Sequence, residues 1–434
     1  MPESTGAFVQ IGATRDGLDA YRACAHRRGL PTVLVDTPAY LKWRRLLGRP
    51  FFDIEIPVPA PQCPDQVVAA VTGAGIEPVL VLAGFDHYTA SAFEVATRLG
   101  AAPRRQGRAG FAPSDKAWQR TVLARHAPQT LQPAHIHLGP NTVTKPQQAA
   151  GNLPVAVERL NALAYPQVVK PVDGGGSLGV YLVRSQTERE AALRKAAATA
   201  NFGGAAFSGF LVEEHVSGTE YSLQCLAWEG KAHVLSFCEK VVLPECNGTL
   251  EGFREVGHIA APGDQAPAEL KVMAQACLDA TGFEEGPFHV DLIRNHEGAA
   301  FLEMGFRLSG LGLVAVVEQA TGINWAELAF AAHLDHRPPD LKPGENHART
   351  IGQLIATHPT QLTRANDLAA RRPGIRIHRA PSAPDTQLFS PADLRTLAPD
   401  RERHAVILGK VIITAEDAAD VRQQLIHCAA AGHS

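Results

Sequence analysis

Apolar runs and the polar segments between them change rhythm twice along the chain. Over residues 1–112 short buried strands alternate with amphipathic stretches. Phe8 to Gly12 and Thr32 to Val35 read as strands, Gly17 to Arg28 as a helix, and Pro78 to Ala83 as a further buried strand. That alternation predicts a small parallel α/β domain. Residues 113–340 bring longer strands and hairpins. Pro113 to His126 predicts a helix with Ser114 as N-cap and Asp115 in its first turn, and Val168 and Val169 a strand that Pro171 ends. Phe210 to Leu223 reads as strand, turn at Ser217 and Gly218, and strand, while Phe288 to Gly310 reads as a β-hairpin about a turn at Asn295 to Gly298. A proline turn at Arg337 to Asp340 opens the stretch 341–434. Strands are expected there near Thr350 to Ala356 and His404 to Ile413, with Val406 to Thr414 and Ala415 to Leu425 as the last strand and last helix. No internal repeat interrupts this order.

Composition narrows the class. The 434 residues are 45% hydrophobic and 20% charged, which is ordinary globular usage with material for two to four domains. A formal net charge of −3 argues against a general nucleic-acid binder. The seven cysteines are scattered without C-x-x-C pairing and read as reduced thiols. Neither a basic-then-apolar leader nor a run of ~18 apolar residues is apparent, so a cytoplasmic protein without membrane contact is expected. Gly12 to Gly17 follows the first strand, but it lacks both G-x-G-x-x-G and the Lys-Ser/Thr of a P-loop. A plain strand-to-helix turn is the better reading.

Candidate chemistry concentrates in the middle stretch. In Val168 to Val180, VVKPVDGGGSLGV, a strand delivers Lys170 beside Gly174, Gly175, Gly176, Ser177 and Gly179, where backbone N–H groups can approach an anion. On the hairpin, Asp291 and Glu303 fall on facing strands, and like charges so placed destabilise unless a cation lies between them. Two carboxylates near a phosphate loop suit Mg²⁺, which completes its octahedron with phosphate oxygens and water. Arg307, four residues on, is placed to neutralise charge developing on a transferring phosphoryl group.

These segments, in the order Asp115-Lys116, VVKPVDGGGSLGV, FLVEEHVSGTEYSL, FREVGHIAAP and FLEMGFRLSG, resemble an ATP-grasp carboxylate–amine ligase, most closely the L-amino-acid ligases that make dipeptides. The resemblance covers roughly residues 113 to 325. It implies an ATP-grasp fold in which two α+β subdomains grip ATP, with a lid at about 166–232. A parallel α/β domain precedes it, and a C-terminal α+β extension follows. It further implies that Lys116, Lys170 and the 174–179 loop hold the phosphates, that Glu213, Glu214 and Val216 border the adenine, and that Glu220 meets the ribose. Asp291 and Glu303 then hold Mg²⁺, with Mn²⁺ as a substitute. Glu255, His258, His289 and Arg307 serve the substrates, and Lys170, Gly179 and Arg307 the reaction. Without the resemblance Lys116 reads as a solvated helix lysine, Glu220 equally as a surface charge, and His289 equally as a core histidine. One departure stands out: many family members carry Asn where this chain has Gly305. The implied activity is ADP-forming amide synthesis from a small acid and a small amine, both amino acids, through an acyl phosphate. A homodimer is compatible with this. Carboxylation using bicarbonate, a ligase of a non-amino-acid acid, and a non-catalytic ATP-binding protein are the alternatives.

Overall fold

The computed structural model describes residues 6–103, 107–141, 153–342, 350–415 and 417–430; Met1 to Thr5, part of the segment read for a leader, lie outside the described residues. Four strands, β1 (Ala7–Ile11), β2 (Thr32–Asp36), β3 (Ile54–Pro57) and β4 (Pro78–Ala83), form a parallel sheet in the order β3-β2-β1-β4. β1, β2 and most of β4 are buried, as expected of apolar parallel strands covered on both faces. The first helix runs Ala20–Arg27 and starts later than the sequence pattern indicates. Gly17 and Asp19 both have left-handed backbone, at φ 75° and 40°, so helical geometry begins only beyond them. One face of this sheet packs Phe8 against Phe330, ring centroids 5.1 Å apart, which seats the domain on the remainder of the chain.

Twelve further strands join in one sheet among the described residues. They are β5 (His135–Leu138), β6 (Gln167–Pro171), β7 (Tyr181–Val183), β8 (Phe210–Glu214), β9 (Thr219–Trp228), β10 (Lys231–Asn247), β11 (Leu250–Pro262), β12 (Gly286–Asn295), β13 (Gly298–Gly305), β14 (Thr350–Ala356), β15 (Ile375–Arg379) and β16 (Gly409–Ala415). The body runs β13-β12-β9-β10-β11 and continues into a small lid sheet, β7-β6-β8-β5. Pairing thus draws the lid around β5 to β8, whereas the sequence boundary of 166–232 leaves out β5 and takes in β9.

β11 is the hub. Its start pairs with β7 of the lid at Glu251 and Gly252, and its second half, Gly257 to Ala260, pairs with β14 and so leads to β16 and β15. The strand expected over His404 to Ile413 is in fact Gly409–Ala415, preceded by a helix at Ala398–Val406. Pro399 sits in the first turn of that helix, where its missing N–H costs nothing. The last helix is Ala418–Ala429, capped by the Asp417 side chain. Between β15 and β16 the chain crosses to the N-terminal domain, where Phe389 meets Trp43 at 5.8 Å between ring centroids.

Candidate active site

A cleft of about 1290 Å³ opens between the lid, the body sheet and the C-terminal ends of β1 and β4. Lys116, Lys170, Gly175, Gly176, Ser177, Gly179, Glu213, Glu214, Val216, Glu220, Glu255, His289, Asp291, Glu303 and Arg307 all line it. His258 is fully buried behind Glu255.

The hairpin sets the acidic side. Asp291 lies directly opposite Glu303 in the β12–β13 register, and a register shift follows at once, between Asp291 and Leu292. Ser222 Oγ donates to Asp291 Oδ1 at 2.6 Å. Lys116 Nζ lies 2.9 Å from Glu303 Oε2 and 2.6 Å from the Gly174 carbonyl oxygen, tying the hairpin to the glycine-rich loop. Burial would lift the Glu303 carboxyl, but Lys116, then Lys240 and Lys170, together outweigh this and hold the group at about 2.

The helix carrying Lys116 runs Lys116–His126 and is capped by Asp115, whose carboxylate accepts from the N–H groups of Ala117 and Trp118. This moves the cap one residue from the expected Ser114, which instead donates to the Asp86 carbonyl oxygen at 2.8 Å. Gln119 on the same helix brackets the backbone of Met304, donating to its oxygen at 2.7 Å and accepting from its nitrogen at 3.1 Å. The glycine-rich turn needs left-handed backbone at Gly176 and Gly179, φ 61° and 75°, and Ser177 shares that geometry at φ 61°. A Cβ on Gly179 would stand 3.0 Å from Pro171 Cγ, so bulk there would open the turn.

Glu213 does not reach freely toward a base. It is buried with Arg120 Nε at 2.8 Å and Lys170 Nζ at 2.6 Å, and these cations hold it at about 2 against the upward push of burial. Burial pulls the Lys170 ammonium below its ordinary value despite Glu213. Glu214 accepts from the Ala164 N–H at 2.8 Å.

Lys240, which sequence reading missed, gathers the rest. Its Nζ lies 2.6 Å from Asp291 Oδ2, 2.8 Å from Glu220 Oε1 and 3.1 Å from Glu255 Oε2. Burial opposes its charge, but the three carboxylates prevail and raise it well above an ordinary lysine. Glu255 also contacts His258 Nε2 at 2.5 Å. Residues three apart on a regular strand face opposite ways; here Val256 is an extra residue against β10, and this bulge turns both side chains to one side.

Gly305 pairs with His289, and a Cβ there would stand 2.3 Å from His289 Cε1. The imidazole thus fills the space that a side chain at 305 would need. Asp86 and Arg15, which also line the cleft, were likewise missed: they follow β4 and β1, where ligands of open parallel sheets gather, and Asp36 at the end of β2 is buried against Arg15. Asp86 forms an ion pair with Arg307.

The ATP-grasp domain family matches residues 163–314. The chain carries an ATP-grasp domain. Over 176 residues, 41% of this chain, it is 31% identical to formate-dependent phosphoribosylglycinamide formyltransferase of Stutzerimonas stutzeri (strain A1501), and the aligned part spans 42% of that relative's length. Two solved structures are similar across almost the full length. The L-amino acid ligase of Bacillus licheniformis has a TM-score of 0.65 at 18% identity, with 98% of each chain covered. The ADP complex of purK, N5-carboxyaminoimidazole ribonucleotide synthetase, has a TM-score of 0.65 at 14% identity, with 98% of this chain and 96% of that chain covered. The ATP-grasp domain and the sheets around it therefore share one fold with these proteins. Among the described residues no helix is long and apolar enough to cross a membrane.

The ATP-grasp cleft also suits a divalent cation. Three carboxylates face the single ammonium of Lys240, leaving an excess of negative charge, and Glu303 stands across from Asp291. Among the described residues no cage of three or more His, Cys, Asp or Glu ligands forms. A pair of carboxylates is nevertheless what Mg²⁺ takes when phosphates and water supply its other ligands.

Proposed function

We propose that the protein is an ADP-forming ATP-grasp ligase that uses ATP and Mg²⁺ to join the carboxylate of an amino acid to an amine. The observation that carries this reading is the opposed Asp291–Glu303 pair, with Lys116 bridging it to the glycine-rich loop and Arg307 beside it. Such a set serves positioning and charge stabilisation, which is most of what phosphoryl transfer asks of a protein. In the first step a substrate carboxylate oxygen attacks the γ-phosphorus of ATP, and the bond to the β,γ-bridging oxygen breaks with its electron pair on ADP. In the second, an uncharged amine attacks the acyl carbon, the C–O bond to phosphate breaks, and phosphate leaves with that pair while the amine's proton passes to solvent.

Asp291 and Glu303 would hold Mg²⁺, which when bound neutralises charge on the phosphate oxygens. Lys116 and Lys170 hold the phosphates, Arg307 faces the transferring group, and the 174–179 turn covers the site from water. Glu220 stands on the ribose side, while Glu255 and Lys240 form the wall against which the acid substrate lies, with Glu255 nearest its ammonium and His258 supporting that carboxylate from behind.

A phosphate-release screen over amino-acid and amine pairs with Mg·ATP, read by product mass, tests this. ADP, phosphate and a condensed product are expected; AMP and pyrophosphate would overturn the reading. Since the purK and amino acid ligase structures are equally similar in fold, bicarbonate belongs in the screen. Phosphate release that needs bicarbonate and no amino acid would move the assignment to carboxylation. Glu303→Gln keeps shape while removing charge, and should cost turnover at least ~100-fold.

A further inference from the structure

We infer that Asp86 is the carboxylate that receives the ammonium of the amine substrate, an assignment that rests on the ligase reading above. Asp86 opens a short turn directly after β4, and that turn is fastened on both sides. Ser114 holds its carbonyl oxygen, Phe85 meets the ring of Phe202 from the lid edge-on at 5.2 Å, and His87 stands so close to Gly203 that a Cβ there would be 2.7 Å from its Nε2. The carboxylate is thereby fixed in the cleft with about a third of its side chain exposed to it. Besides Arg307 it faces the glycine-rich loop, with Oδ2 3.9 Å from the Cβ position of Gly175, and the hairpin, with Oδ1 3.1 Å from that of Gly305. That is the junction of phosphate loop, Arg307 and carboxylate pair, where the acyl carbon must lie in the proposed reaction.

Charge accounting separates Asp86 from the carboxylates of the hairpin, β8, β9 and β11. Glu220, Glu255 and Asp291 share Lys240, Glu303 has Lys116, and Glu213 has Arg120 and Lys170. Among the described residues the one ion-pair partner of Asp86 is Arg307, the cation that the transferring phosphoryl group claims. As Arg307 turns to that group, Asp86 loses its ion-pair partner and keeps only the His289 imidazole beside it, and an anion so placed in an enclosed cleft is costly until another cation arrives. An amine entering as its ammonium ion supplies it, is drawn in after the acyl phosphate begins to form, and passes one proton to the Asp86 carboxylate to become the uncharged nucleophile that attacks the acyl carbon. The order acid first, amine second then follows from one arginine changing partners. Glu255 lies on β11, in a different domain from Asp86, so the two substrates' ammonium groups have separate carboxylates.

Hydroxylamine, uncharged at neutral pH, also captures acyl phosphates and gives a hydroxamate without needing a carboxylate partner. The experiment compares it with the amino-acid amine from the screen, both at saturating ATP, Mg²⁺ and acid, in wild type, Asp86→Asn and Asp86→Ser. The ratio of kcat/KM for the amino-acid amine to that for hydroxylamine should fall by at least ~10-fold in both variants, mainly through KM for the amine, as expected when a charged hydrogen-bond partner is lost. An unchanged ratio, with both nucleophiles affected alike, would overturn the assignment alone and leave Asp86 as a support for Arg307. If wild type forms no hydroxamate from any acid, the ligase reading fails and the assignment with it.

Discussion

At Lys240 a single ammonium holds together carboxylates that would otherwise repel one another. Glu220, Glu255 and Asp291 come from three strands, and burial strengthens both their repulsion and the attraction that offsets it. Lys240→Met keeps the length of the side chain and removes the charge. It should lower stability by about 3–5 kcal/mol, as for other buried pairs that lose one partner. Urea unfolding would measure this, and adding Glu255→Gln should recover part of the loss. Asp291 and Glu303 were legible in the sequence because a hairpin turn and strand alternation bring them face to face within a short segment. Lys240 was not, for a lone lysine in SFCEKVV reads equally as a surface residue until β9, β11 and β12 show which face it occupies. Asp86 escaped for a related reason: its significance lies in Arg307, a residue far along the chain.

Elements were read well where periodicity was strong and poorly where a local irregularity decided the outcome. Thr350–Ala356 matches its expected strand, and β1, β2 and β4 fall within a residue or so of theirs. The first helix started late because Asp19 adopts a left-handed cap, and the 404–413 strand gave way to a helix at its start because Pro399 opens one. The bulge at Val256 left no pattern in the sequence at all, although it places Glu255 and His258 together. The hairpin has its own irregularity at Gly305, where His289 fills the space. Gly305→Asn should therefore force overpacking and cost about 1–3 kcal/mol. The double variant Gly305→Asn/His289→Ala should melt closer to wild type than Gly305→Asn alone; additive losses in a double-mutant cycle would mean that the two side chains do not compete for one space.

Across the whole molecule, Arg15 from the N-terminal domain clasps Asp36 at 3.0 Å and Asp400 from the C-terminal region at 3.2 Å, over the face of Tyr40. Burial pushes the Asp400 carboxyl up to about 6; Arg15 pulls against this and Asp36 adds to it. A carboxyl raised on folding favours the fold most when protonated, so its contribution is full below the unfolded value and is lost as pH rises through about 6. Asp400→Asn removes that dependence. Its stability relative to wild type should improve between about pH 5 and pH 7.5, by at most about 3 kcal/mol. Thermal melts of both proteins at the two pH values would check the sign.

The pairing of β11 carries a last consequence. Its bond to the lid is confined to Glu251–Leu182 and Gly252–Tyr181, whereas its pairing with β10 runs almost its whole length. So narrow a seam can part without unravelling either sheet, and its backbone amides should trade hydrogen for deuterium sooner than those of Ile259 and Ala260, deep in the same strand. Binding of ATP across lid and body would then register as slowed exchange at Leu182 and Gly252, a readout of lid closure that needs no knowledge of what the enzyme joins.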